Sequence, residues 1–254
     1  MLIESHRGLV TRFPENTIAS FRGAKEAGYD MIELDPRFTS DGHCVILHNR
    51  TLEKNARDAQ GNPPDPSVAI HDITLAEAKK YEYGSWFAPE FKGEQLAELK
   101  DVLAFALENK IPMKFDNVWH THTEQEQETF LREIASSPAA PYCELTCLTV
   151  DAVKKAIGAI EGVKIHYDGM WSAEVKKQLK QLLPKDRLTV WRRMDNACTS
   201  WCKVPPITVE EATDIHDIAS LGLWLLKEQQ ELEEAGRYNA DIIETDGSIA
   251  PNPR

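Results

Sequence analysis

A (β/α)₈ barrel is the fold this sequence predicts, on three observations. Short apolar runs rich in branched residues alternate with amphipathic helical stretches along most of the chain, and such alternation builds parallel sheets. A length of 254 residues, 42% of them hydrophobic, suits one barrel spanning 1–254 better than two small domains. Histidines and carboxylates stand where several of the apolar runs end, and barrel enzymes build their sites at the carboxyl ends of their strands.

The first strand is read at 2–5 and ends abruptly at His6-Arg7-Gly8. The loop LVTRFPENT then leads into a helix that Asn16 or Thr17 can cap and Gly28 stops, with Ile18, Phe21 and Ala24 on its apolar face. Strands follow at 31–35 and 44–48. From 50 to about 92 the pattern gives way to turn residues and aromatics, which predicts an insertion after the third strand, a lid or side wall. Its one short helix follows Thr74, and Trp86 and Phe87 are expected to pack the insertion more than to face a substrate.

Alternation then resumes. Helices are expected at 96–109, with Leu96, Leu99, Leu103 and Leu107 inward, and at 124–135, 151–160, 172–183, 208–219 and 227–236. Strands are expected at 111–119, 145–150, 163–168, 188–193, 221–226 and 240–246. That makes nine strands, one more than the barrel takes, so 163–168 or 188–193 lies outside it or 145–150 is misread.

A net charge of −12 argues against nonspecific binding to nucleic acid or to an anionic membrane surface. No apolar run approaches the ~20 residues of a membrane span, and the start MLIESHRG does not read as a signal peptide, so a cytoplasmic protein is expected. Five cysteines suit reduced thiols; the pairs Cys143/Cys147 and Cys198/Cys202 lack the two-residue gap common in zinc sites.

The stretch from Tyr29 to Asn49 concentrates the chemistry. Glu33 and Asp35 alternate on an apolar strand and so share a face, where two acids are costly unless a cation lies between them. Asp116 ends another strand, and the oxygen donors favour a hard divalent cation, Mg²⁺ or Ca²⁺, with Mn²⁺ also suited. His6 and His48 can divide acid and base work, and Arg7 can fork onto a phosphoryl oxygen. The reaction class is phosphoryl transfer from a small-molecule diester. Asp168, alternating with His166, is a lesser candidate for the barrel mouth; His71, His120, His122, His166 and His216 read as structural or exposed.

Taken in order, His6-Arg7-Gly8, Pro14-Glu15-Asn16-Thr17, Glu33-Leu34-Asp35, Thr39-Ser40-Asp41-Gly42 and His48 resemble the HRG, PENT, E-x-D, T-x-DG and H motifs of the glycerophosphodiester phosphodiesterases. Trp224 and Glu244-Thr245-Asp246-Gly247 are similar to later features of that family. The resemblance implies a barrel that hydrolyses glycerol-phosphate diesters with two catalytic histidines, His6 and His48, and one divalent metal on Glu33, Asp35 and Asp116. Glu15 and Asn16 then either cap the first helix or shape the site, and Trp224 forms a wall beside the substrate or packs the barrel.

Three departures bear on the substrate. Val118 stands where the family commonly has a phosphate-neutralising Lys, which leaves Lys114 and Arg192 or Arg193 as candidates to meet the phosphate. Asn49 follows His48 where Asp is common, and Leu225-Leu226-Lys227 follows Trp224 in place of Thr-Val-Asn. Two rival readings are a transferase or lyase that forms a cyclic phosphate or a sugar phosphodiester, and a non-catalytic sugar-phosphate binder.

Overall fold

Ten strands are present in the computed structural model, which describes residues 1–194 and 205–251. In chain order they are β1 (Leu2–His6), β2 (Met31–Leu34), β3 (Pro36–Phe38), β4 (Cys44–Ile46), β5 (Met113–Phe115), β6 (Cys143–Cys147), β7 (Lys164–Tyr167), β8 (Leu188–Arg193), β9 (Ser220–Leu226) and β10 (Ile242–Thr245). Eight of them close a parallel barrel in the order β1-β2-β5-β6-β7-β8-β9-β10.

The surplus strand is the one at 44–48. Strand β4 pairs antiparallel with β3 in a separate two-stranded ribbon, Pro36 opposite Ile46 and Phe38 opposite Cys44. Both 163–168 and 188–193 belong to the barrel, as β7 and β8, and the strand expected at 145–150 begins two residues earlier, at Cys143. Apolar patterning could not separate the ribbon from a barrel strand, because Cys44, Val45 and Ile46 are all buried. Chain length could have done so. Only residues 36–43 lie between Asp35 and Cys44, fewer than the dozen or so that a parallel crossover needs.

The insertion consequently leaves the barrel after its second strand, not its third, and carries the ribbon with it. It has an apolar cluster of its own that includes Val45, Leu47, Leu52, Ile70, Tyr83 and Leu96. Its short helix α2 (Leu75–Ala78) is capped by Thr74, whose side chain accepts from the Glu77 N–H. Phe91 meets Phe13 of the first loop at 5.5 Å, and Trp86 and Phe87 pack edge to face at 5.8 Å within the insertion.

Helix α1 (Ile18–Glu26) is capped by Thr17 rather than Asn16, with the reciprocal bond returned by Ser20. The turn before it requires glycine: Gly8 has φ +85°, and a Cβ there would lie 2.3 Å from Ser20 Oγ. Around the barrel follow α3 (Leu99–Asn109), α4 (Glu124–Ala135), α5 (Val150–Ala159), α6 (Ala173–Leu182), α7 (Val209–His216) and α8 (Gln229–Arg237). The buried face of α3 is Leu99, Val102, Phe105 and Ala106, so Leu103 is only half-buried and Leu107 is exposed. Cys143 and Cys147 are buried free thiols at the two ends of β6, roughly 13 Å apart by strand rise, which excludes a shared zinc. Cys198 and Cys202 lie outside the described residues. Among the described residues no helix is long and apolar enough to cross a membrane.

Candidate active site

A cavity of about 540 Å³ opens at the carboxyl ends of the strands. Strand register sets its acidic floor. His6 at the end of β1 lies beside Glu33 of β2, and Glu33 lies beside Lys114 of β5. Asp35 and Asp116 follow directly on β2 and β5. Glu33 and Asp35 are almost fully buried, at 3% and 2% exposure, and one oxygen from each of Glu33, Asp35 and Asp116 lies within 4.8 Å of the others.

Such crowding is unfavourable for three negative charges. Burial, with Asp35's charge beside it, raises the Glu33 carboxyl well above the usual range and pushes Asp116 up to about 7. A hard cation at their centre would relieve both effects, and three carboxylate oxygens are the donors it prefers, so the residues fit a divalent metal.

Backbone strain in the loop after β1 is spent on this cluster. Arg7 and Asn16 both have φ +59°, an unusual conformation for side-chain-bearing residues. The Arg7 N–H donates to Glu33 Oε2 at 3.0 Å, and its Nε lies 3.3 Å from Asp35 Oδ2. Asn16 donates its side-chain N–H to Asp35 Oδ2 at 2.8 Å and accepts the Asp35 N–H on its own oxygen at 3.3 Å. Asn16 therefore shapes the site, and Thr17 does the capping. Glu15 lies 3.8 Å from Arg7 Nη1 and accepts from Lys54 at 2.9 Å and Asn55 at 3.3 Å, tying the loop to the insertion.

His6 Nε2 stands 4.0 Å from Glu33 Oε2, and burial lowers its pKa to about 4 despite the nearby Glu244. His48 lines the same cavity but reaches it from the ribbon. Its Nδ1 is 3.0 Å from Asn49 Oδ1, and its carbonyl accepts from Arg37 Nε at 2.8 Å and from Arg37 Nη2. Arg37 Nε also reaches the Leu47 carbonyl at 2.9 Å, so one guanidinium fixes the segment that presents His48.

Two residues expected at the phosphate are otherwise engaged. Lys114 lines the cavity, but its ammonium is 2.5 Å from Glu4 and 2.8 Å from Glu244 and sits 3.9 Å over the Trp191 ring. Burial alone would lower its pKa; the charges of Glu244 and Glu4 outweigh that and raise it. Arg192 is not in the cavity. Alternation along β8 turns it away from Trp191, so its Nε binds Glu211 of α7 at 2.8 Å and its Nη1 donates to the carbonyls of Gly169 and Trp191 at 2.9 Å. Arg193 shares the face of Trp191 but does not line the cavity.

The far wall holds Trp224, at one of the two places the sequence allowed it, with Asp168, which sequence reasoning ranked low, and Lys227 and Trp191, which it passed over. Trp224 lines the cavity and donates its indole N–H to Asp168 at 3.3 Å. Burial, together with the charge of Asp116, pushes Asp168 up to about 7. Lys227, just beyond β9, also lines the cavity, and its ammonium makes no ion pair among the described residues. Its one signal was position, the first charged residue after the strand that carries Trp224. Trp191 is set from behind: its indole N–H donates to His166 Nδ1 at 2.8 Å, which leaves the His166 proton on Nε2 facing Glu144 at 2.6 Å. Gly222 provides the room, since a Cβ there would lie 2.5 Å from the Trp191 ring.

A family model described as the glycerophosphoryl diester phosphodiesterase family matches residues 6–138. The chain belongs to the glycerophosphoryl diester phosphodiesterase family. Among curated members, a glycerophosphodiester phosphodiesterase of Caldanaerobacter subterraneus is 40% identical over 101 residues, which is 40% of this chain and 38% of that one. One from Bacillus subtilis is 32% identical over 111 residues, covering 41% and 35% of the two chains. The aligned part thus spans well under half the length of these relatives. Likeness of fold extends further. A phosphodiesterase of Oleispira antarctica, solved with the product sn-glycerol-3-phosphate, superposes with a TM-score of 0.73 at 18% identity over 98% of this chain and 94% of that one. A glycerophosphodiester phosphodiesterase of Thermotoga maritima gives 0.66 at 19% identity over 98% and 95%.

Proposed function

We propose that this family member is a metal-dependent phosphodiesterase that hydrolyses a glycerophosphodiester or a related sugar phosphodiester to a phosphomonoester and an alcohol. The observation that carries the reading is the convergence of three carboxylates, with oxygens within 4.8 Å of one another, in a cavity that His6 and His48 also line. Glu33, Asp35 and Asp116 would hold Mg²⁺, Ca²⁺ or Mn²⁺, which when bound supplies a Lewis acid for the phosphoryl oxygens. Arg7 keeps the loop against Asp35 and offers its remaining N–H groups to the phosphate.

The proton work belongs to the histidines. As water attacks phosphorus and the bond to the leaving alcohol breaks, one imidazole takes the proton of the water and the other returns a proton to the alcohol. Lys114 supports the site from beneath, where Glu4 and Glu244 balance its charge. Among the lining cations that leaves Lys227, whose ammonium has no carboxylate partner among the described residues, to face the substrate on the wall where this chain departs from the family motifs. Asp168 and Trp224 contribute a hydrogen-bonding and an aromatic surface to the part of the substrate that departs or stays.

The test is turnover of a panel of glycerophosphodiesters and sugar phosphodiesters with Mg²⁺, Ca²⁺ and Mn²⁺ in turn, with the products read by phosphorus NMR. A phosphomonoester formed only with a divalent cation is expected. A cyclic diester as final product would instead mark a lyase, and metal-dependent binding without turnover would mark a binding protein.

A further inference from the structure

A second cavity, of about 470 Å³, lies where the ribbon, the insertion and the start of α4 meet, and its lining shares no residue with the first. Arg37 of β3, Arg50 and His71 of the insertion, and His122 just before α4 line it together with Ser40; Thr39 lines it too, but its buried hydroxyl donates to Asp41 Oδ1 at 2.6 Å. Glu126 is the one acid in this lining, and its carboxylate is committed to the Thr123 N–H at 2.9 Å and the Thr123 hydroxyl at 2.5 Å. In a chain of net charge −12, a cavity whose charged side chains are mostly cationic runs against the composition.

The cations are also incompletely used. Arg37 spends Nε and Nη2 on the carbonyls of Leu47 and His48, and no hydrogen bond from its Nη1 is recorded among the described residues. The Arg50 guanidinium makes no hydrogen bond or ion pair among the described residues. His122 is packed edge-on against Phe38 at 4.8 Å; its buried Nε2 has no hydrogen-bond partner among the described residues, and its Nδ1 lies 3.9 Å from Glu126 Oε2. His71 lies 3.2 Å from Asp72, but both are well exposed, so water screens that pair. Burial keeps His122 below its ordinary pKa; Glu126 opposes this, while Arg37, His71 and Arg50 act in the same direction as burial.

We infer that this second cavity binds a phosphoryl anion, either inorganic phosphate or a phosphomonoester. The guanidinium groups of Arg37 and Arg50 offer forked donors of the kind that suit phosphoryl oxygens, and the Ser40 hydroxyl, which makes no hydrogen bond among the described residues, adds another. The volume falls within the range of small-molecule pockets. An anion held on Arg37 would share its guanidinium with the carbonyl of His48, so occupancy bears on the segment that presents that histidine. The inference does not rest on the proposed activity, because binding can be read without turnover.

The experiment is a titration of the full chain, in chelator, with inorganic phosphate and separately with sn-glycerol 3-phosphate, following the imidazole resonances by NMR. The His122 ring is expected to shift and its pKa to rise, with a response distinct from that of His6 and His48 in the first cavity. A stronger response to one ligand identifies it, and equal responses mean that the phosphoryl group alone is recognised. Arg50 is exposed, so Arg50→Gln should fold normally and weaken the His122 response by about tenfold while leaving that of His6 unchanged. The inference fails if phosphate to about 20 mM, saturating for a Kd near ~1 mM, leaves His122 unmoved. It fails equally if sodium chloride of matched ionic strength produces the same shift.

Discussion

From β1 to β5 the rim of the barrel carries the three clustered carboxylates, both candidate histidines and the run of motifs from His6 to His48; from β6 to β10 it carries Asp168, Trp191, Trp224 and Lys227, where only Trp224 and the segment 244–247 resemble the family's features. The family model covers the first arc and stops at residue 138. Over the second arc the likeness is one of fold, at identities below 20% with the solved structures. The first arc must place oxygens and imidazoles within a few ångströms of one another, which allows few residue types. On the proposed reading the second has only to enclose the rest of the substrate, and many side chains can do that.

The division can be broken by variants on each side. Glu33→Gln, in the first arc, should lower turnover by about a thousandfold, since on the proposed reading Glu33 would hold the cation whose positive charge stabilises the transition state. Lys227→Met, in the second, should lower kcat/KM by only about tenfold, chiefly through KM, as expected for one charged contact made at binding. Steady-state kinetics at saturating divalent cation measures both, and equal losses would mean that the second arc takes part in the chemistry.

Arg192 sharpens the contrast by separating structure from chemistry within one strand. With its guanidinium buried against Glu211 and two carbonyls, Arg192→Met should cost about 2–3 kcal/mol of stability, because it leaves buried partners unmatched. Urea unfolding should show that loss, while kcat of the folded fraction stays near the parent value. A large fall in kcat with unchanged stability would return Arg192 to the substrate.

Within the first arc, function and stability should oppose each other. Folding raises the Asp116 carboxyl to about 7, through burial and the charge of Asp35, from about 3.9 in an unfolded chain. The folded state therefore holds more protons than the unfolded state between those values, and this group's contribution to stability falls as pH rises through that window. In chelator, Asp116→Asn should be more stable than the parent by at least about 1 kcal/mol at pH ~8, with the gap closing toward pH ~4. Thermal or urea unfolding across pH measures it. A gap that widened toward acid would show that the carboxyl is not raised.

Much of the site was legible before the fold. Glu33 and Asp35 alternate on an apolar strand, His6 and Asp116 end strands, and the loop motif pointed to Asn16, though as cap or shaper alike. The misreadings share a cause. The segment at 44–48 has the composition of a barrel strand because its ribbon is as buried as the barrel, and hydropathy reports burial, not pairing. Lys114 and Arg192 looked available for phosphate because a sequence shows a cation without its partners, and Glu4, Glu244 and Glu211 arrive from distant segments.

The sequence by itself determined the barrel class, the family and the acid–histidine set, since strand periodicity and short motifs are local. Tertiary structure alone decided which cations are matched by carboxylates from distant segments and that Arg37 underpins His48. Those outcomes depend on pairing between residues far apart in the chain, and Coulomb forces and hydrogen bonds act on distance in space rather than distance along the sequence.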